Sequence, residues 1–278
     1  MRFILSLCRR LAAVILGAGL AASAAAPARA VDALAIYENR AALAAAAQHC
    51  GALSANEAAA QALGLLQARH DALRAGASLA RLAAADENAA RRTARLACDA
   101  PELQQSIAAL RQSFPAFLRQ GRAVFAPDWR ASKYARDVWA VRFGADLQAP
   151  TLGLIAHRGG LSLAIDANGA TRAVGAVLLT RNPSLQPAPI LSAAGPLPPA
   201  GFAASAWPVA AILDQGRFAL SDAALAALIA LDPREAVLIR LFDRRGAIAA
   251  ERVIPVGDVA IAIRFAQLPL GASARNAN

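Results

Sequence analysis

From residue 32 to about residue 121 the chain is written mostly in Ala, Leu, Gln, Glu and Arg. These residues lose least on entering a helix. A run of this length and composition folds in water as several helices packed against one another, and its punctuation predicts where each begins. Helix one covers residues 32–50 and stops at Gly51. Helix two opens on the capping box Ser54-Ala55-Asn56-Glu57 and stops near Gly76. Helix three runs from Ser78 to near Cys98. Helix four takes Asp99 as its cap, with Pro101 in the first turn and Glu102 closing a second box, and Pro115 kinks or ends it.

Ala supplies 78 of the 278 residues, so such a bundle has thin side-chain packing. Cys50 and Cys98 fall at the ends of helices one and three. In an up-down-up arrangement those helices run parallel and their carboxyl ends meet, so the pair is predicted to form a disulfide. Closing a loop of about 49 residues stabilises by roughly 4 kcal/mol in the chain-entropy model. His49 has no partner at metal-ligand spacing, and His70, between Arg69 and Asp71, reads as part of a solvated helix face. No metal site and no cofactor are expected.

The first 30 residues read as a secretory signal peptide. Arg2, Arg9 and Arg10 form a basic start, an apolar run follows, and Ala28-Arg29-Ala30 offers small residues for cleavage after Ala30. The apolar run is short for a membrane span, so no transmembrane segment is expected after cleavage. Export would also suit a single disulfide. Enough apolar surface remains to exclude a disordered chain, and the composition excludes collagen-like and disulfide-dense classes.

The formal net charge of +10 is unevenly distributed. Removing residues 1–30 leaves +6, and residues 111–142 alone carry seven basic and two acidic groups. The same segment interleaves Phe114, Phe117, Phe125, Trp129, Tyr134 and Trp139. Residues 122–136 therefore read as a basic aromatic junction between a helical domain (31–121) and a second domain (137–270). In a helical turn Arg130, Lys133 and Arg136 would share a face, with Trp129 or Tyr134 stacking on them. Such a face would bind an anionic envelope component or a protein partner. Alternatively it is a hinge whose aromatics pack two domains together. Nucleic acid is not expected of an exported chain.

Beyond residue 137 the pattern alternates as strands do. Gly159-Gly160 and Asn168-Gly169 mark two tight hairpins, giving an antiparallel meander over residues 137–181. A proline-rich loop covers residues 182–202. A strand near 206–213, a helix at 221–231, a hairpin of 235–242 with 248–255, and an amphipathic segment at 256–268 follow, before a frayed tail at 271–278. The fold class is α+β: an Ala-rich antiparallel bundle of about four helices, then an antiparallel β-rich domain with one or two helices.

His157 and Ser162 are the pair a hydrolase would use. With the turn at Gly159-Gly160 they stand directly opposite. Asp166 lies about 13 Å along the strand from Ser162 and cannot complete a triad within that hairpin. No nucleophile-elbow, P-loop, dinucleotide-binding or HExxH motif occurs. The expectation is an exported, periplasmic or extracellular, non-enzymatic protein, with a secreted hydrolase as the alternative.

The segment FALSDAALAALIALDPREAVLIRLF, followed by IPVGDVAIAIRF, is similar in layout to small secreted β proteins of the invasion-associated locus B type. The likeness is a helix, a hairpin and a small-residue turn before a last amphipathic stretch. It spans under a quarter of the chain and implies no site residue.

Overall fold

A computed structural model describes residues 26–119, 122–125, 129–134, 138–143, 149–157, 160–168, 173–191, 197, 199, 203–214, 216–257 and 259–268. The chain divides into two units, residues 1–119 and 120–278. Residues 1–25 of the expected signal peptide and the tail at 271–278 lie outside the described residues, whereas the expected cleavage residues Ala28-Arg29-Ala30 fall within the first helix, which begins at Ala26.

The first unit is all helix: α1 (Ala26–His49), α2 (Ala55–Arg74), α3 (Leu79–Thr93) and α4 (Pro101–Arg119). Ser54 and Glu57 form the full reciprocal capping box on α2, and Ser78 caps α3 by accepting from the Arg81 N–H. The box expected at Asp99 is displaced. Gln104 N–H donates to the Ala100 carbonyl and the helix begins at Pro101, so Ala100 holds the cap position. Pro115 does not end α4, whose backbone stays helical to Arg119.

Two small cores hold these helices. Leu34, Tyr37, Ala68, Ala72, Leu73, Ala77, Leu82 and Ala85 form one, and Ala46, Leu103 and Ile107 form the other, beside Cys50 and Leu96. Five of these eleven side chains are Ala, so polar ties supplement the packing. Tyr37, only 1% exposed, donates its hydroxyl to Asp86 Oδ1 at 2.5 Å, and Arg69 Nη1 donates to that hydroxyl at 3.2 Å. Burial first, then the Asp86 hydrogen bond, pushes the Tyr37 pKa up to about 12. His70 is buried, not solvated, because α2 turns that position inward with Ala72 and Leu73.

The second unit is built on one antiparallel sheet, ten-stranded among the described residues. Its strands are β1 (Arg122–Phe125), β2 (Trp129–Tyr134), β3 (Val138–Phe143), β4 (Thr151–His157), β5 (Gly160–Asp166), β6 (Gly175–Arg181), β7 (Ala204–Asp214), β8 (Arg217–Leu220), β9 (Ala236–Phe242) and β10 (Ile248–Pro255). The spatial order is β1-β2-β3-β4-β5-β8-β7-β6-β9-β10. Helix α5 (Asp222–Ile229) is capped by Ser221 and touches β5 and β6, while α6 (Val259–Gln267) touches α5 and β2. Arg252 on β10 donates to the carbonyl of Pro150, just before β4, so the sheet coils back on itself. One face gathers Leu152, Leu154, Leu163, Ile165, Phe218, Leu178, Ile239 and Leu241, all essentially inaccessible, and forms the core.

The meander holds from β1 to β5 and then breaks. The expected second hairpin at Asn168-Gly169 does not pair β5 with β6. Strand β8 takes the edge of β5, with Ala164 opposite Ala219, and β6 pairs with β7 and β9 instead. Asn168 adopts a left-handed φ of 51° and donates its side-chain amide to the Ala149 carbonyl, which turns the chain away from β5.

The proline-rich connection from β6 to β7 is tied down by a buried charge pair. Arg181 Nε and Nη2 reach both carboxylate oxygens of Glu235 at 2.7 and 3.0 Å. Arg181 Nη1 also donates to the carbonyls of Gln186 and Pro187, and Glu235 accepts the Asp232 N–H.

Candidate functional site

Of the basic aromatic segment, residues 111–119 lie in α4 of the first unit, and the remainder supplies β1, β2 and most of β3 of the second. Because β2 is a strand, the helical-turn arrangement expected for Arg130, Lys133 and Arg136 does not form. A strand repeats every two residues, so positions 130 and 133 cannot share a face. Arg136 lies outside the described residues.

The register sorts the segment instead. Arg122 stands opposite Ser132, Val124 opposite Arg130, Arg130 opposite Arg142, and Arg142 opposite Gly153. Arg122, Arg130, Ser132, Tyr134 and Arg142 therefore occupy one face of the sheet. Phe125, Trp129, Lys133, Trp139 and Phe143 occupy the other, the face that carries Leu152 and Leu154 in the core. Of the five residues singled out by sequence, the register unites Arg130 with Tyr134 and places Trp129 with Lys133 on the opposite side. Arg122 and Arg142 join Arg130. The sequence signal that marks them is the alternation in Arg122-Ala-Val-Phe and Val138-Trp-Ala-Val-Arg-Phe.

These strands are uniformly basic in sequence, and the first acid that the register adds to the same side is Asp166 on β5, opposite Thr151. Strands β1 to β4 contain no Asp or Glu. Two arginines at directly opposed positions repel each other, which costs stability unless a counter-charge lies between them.

The hydrolase pair is not assembled as expected. The β4–β5 hairpin closes with His157 opposite Gly160 and Ser162 opposite Ile155. The turn therefore falls at residues 158–159, one residue earlier than Gly159-Gly160, and Ser162 sits two positions away from direct opposition to His157. Asp166 pairs with Thr151 at the far end of the hairpin.

In the first unit the expected disulfide forms: Cys50 and Cys98 are bonded with a Cα–Cα separation of 5.5 Å. It joins the residue after α1 to the connection between α3 and α4. A small cavity of about 270 Å³ is lined by Leu34, Ala35, Glu38, Ala75, Gly76, Ala77 and Arg81. Its lining is mostly Ala and Leu, with Glu38 and Arg81 as its charged members.

No protein-family model, no curated protein and no solved structure matches this chain. No described helix is long and apolar enough to cross a membrane.

Proposed function

We propose that this chain is an exported, non-enzymatic protein of the bacterial envelope that binds an anionic envelope component through the β1–β3 face holding Arg122, Arg130 and Arg142. One observation carries the reading: the register opposes Arg130 and Arg142, with Arg122 nearby on the same face, and these strands contain no acid. A phosphate-bearing headgroup placed among the three guanidiniums would turn repulsion into charge-assisted hydrogen bonds. Export is supported by the basic start, apolar run and Ala28-Arg29-Ala30 of the amino terminus. It is supported too by the Cys50–Cys98 bond, which persists in oxidising compartments. The displaced register of His157 and Ser162 disfavours the hydrolase alternative.

The experiment is co-sedimentation with vesicles of an anionic phospholipid against vesicles of phosphatidylcholine, across a salt series. The expected result is binding to the anionic vesicles alone, weakening as salt rises. Arg130→Glu with Arg142→Glu should reduce it at least tenfold, while Lys133→Gln, on the other face, should leave it within about twofold. Equal binding by the double variant and the parent would remove the proposed face. Fractionation followed by amino-terminal sequencing tests export: a mature chain beginning at Val31 supports it.

A further inference from the structure

His49 and the disulfide stand together. His49 is the last residue of α1 and Cys50 the next, with its N–H donating to the Ala46 carbonyl at 3.0 Å. Cys98 is held across from them by Gln104, whose Nε2 donates to the Cys98 carbonyl at 2.6 Å. A ring nitrogen of His49 and the two sulfurs all lie within 4.8 Å of one another. His49 and Cys98 are exposed and Cys50 is half-buried, so solvent and small solutes reach the cluster. No other group of three or more His, Cys, Asp or Glu side chains among the described residues comes together in this way.

We propose that His49, Cys50 and Cys98 are a redox-gated zinc site. While the sulfurs are bonded to each other neither is a thiolate, and the site is closed. Reduction by an external dithiol opens it. The dithiol gives up two electrons and two protons and becomes its own disulfide, and the Cys50–Cys98 bond becomes two thiols. Zn²⁺ then displaces both thiol protons to solvent and takes the neutral His49 nitrogen as third ligand. Two thiolates and one imidazole on a tetrahedral ion stand about 3.5–3.8 Å apart, within the span already observed. The ligand set suits a borderline-soft ion, and exposure leaves the fourth position to water. The proposal concerns the first unit and stands apart from the anion-binding reading of the second.

The test uses the full chain, reduced with a dithiol, desalted without oxygen and titrated with Co²⁺ as a coloured stand-in, then with Zn²⁺. The expected result is a sulfur-to-cobalt absorption saturating at one equivalent and bleached by Zn²⁺. The same titration of the oxidised chain, or of reduced Cys98→Ser, should give no such band. His49→Ala, which alters an exposed side chain, should weaken Zn²⁺ at least tenfold while leaving the oxidised protein's circular dichroism unchanged. The helix signal is followed throughout, because a reduced bundle that loosens should tighten again on adding Zn²⁺. Absence of the band in the reduced chain, refolded or not, overturns the site. Equal affinity of His49→Ala and the parent overturns the role of the histidine.

Discussion

Replacing Glu235 with Ala should cost the second unit about 3–5 kcal/mol. Arg181 and Glu235 are 5% and 1% exposed, and they meet through two hydrogen bonds. Removing one member of such a pair strands the other charge out of water, which is the expensive way to break a buried ion pair. Arg181 would keep its contacts to the Gln186 and Pro187 carbonyls, but carbonyls do not neutralise a guanidinium. The Asp232 N–H would lose its acceptor as well.

The assay separates the two units because all three tryptophans, Trp129, Trp139 and Trp207, lie in the second. Trp207 Nε1 donates to Thr180 Oγ1 at 2.9 Å, next to Arg181. Urea unfolding followed by tryptophan fluorescence should show the midpoint falling by about 2 M, taking a slope near 2 kcal/mol per molar. The helix signal at 222 nm, dominated by the first unit, should keep its transition. Glu235→Gln, which retains an acceptor and the side-chain shape, should cost less. The double variant Arg181→Met with Glu235→Leu should recover much of the loss, falling short by about 1–2 kcal/mol for the carbonyls left without a donor. A loss below about 1 kcal/mol for Glu235→Ala, or a double variant worse than the single, would refute the view that an uncompensated charge is what the pair prevents.

Reducing Cys50–Cys98 in metal-free buffer should lower the helix transition by about 4 kcal/mol and leave the tryptophan transition in place; coincident oxidised and reduced helix curves would contradict this. The raised pKa of Tyr37 makes the first unit sensitive to alkali. The unfolded phenol loses its proton near pH 10 and the folded one near 12, so this contribution, about 2–3 kcal/mol, is complete below pH 10 and lost between 10 and 12. Tyr37→Phe should flatten stability over that window while costing about 1.5–3 kcal/mol at neutral pH, read by urea unfolding in both conditions. Thr151 is 1% exposed and its hydroxyl finds no hydrogen-bond partner among the described residues. Thr151→Val, which keeps the shape and removes the hydroxyl, should raise the tryptophan-detected stability by about 1 kcal/mol; a loss would mean the hydroxyl is satisfied after all.

Local chemistry carried much of the fold into the sequence. The helix starts at Ser54, Ser78 and Ser221 were legible because a hydroxyl that accepts the N–H three residues ahead needs no distant partner. The β9–β10 hairpin was legible for a similar reason, since Gly246 takes the positive φ of 77° its turn requires. The candidate site was half legible. Charge and aromatic content marked the segment, but a helical spacing was assumed where the residues alternate as strands, so Arg130 and Lys133 were grouped and Arg122 and Arg142 passed over.

What the sequence determined by itself was the α+β class, the helices of the first unit and the pairing of Cys50 with Cys98. Each follows from propensity, from turn chemistry or from the helix lengths that bring two ends together. What only the tertiary structure decided was which strand lies beside which. Asn168 signals a turn but cannot say whether β6 or β8 will pair with β5, because backbone ladders are chemically alike and the choice rests on which apolar faces close the core. The same holds for charge. That Arg130 meets Arg142, and Arg181 meets Glu235 across 54 residues, depends on register and burial that no local pattern encodes.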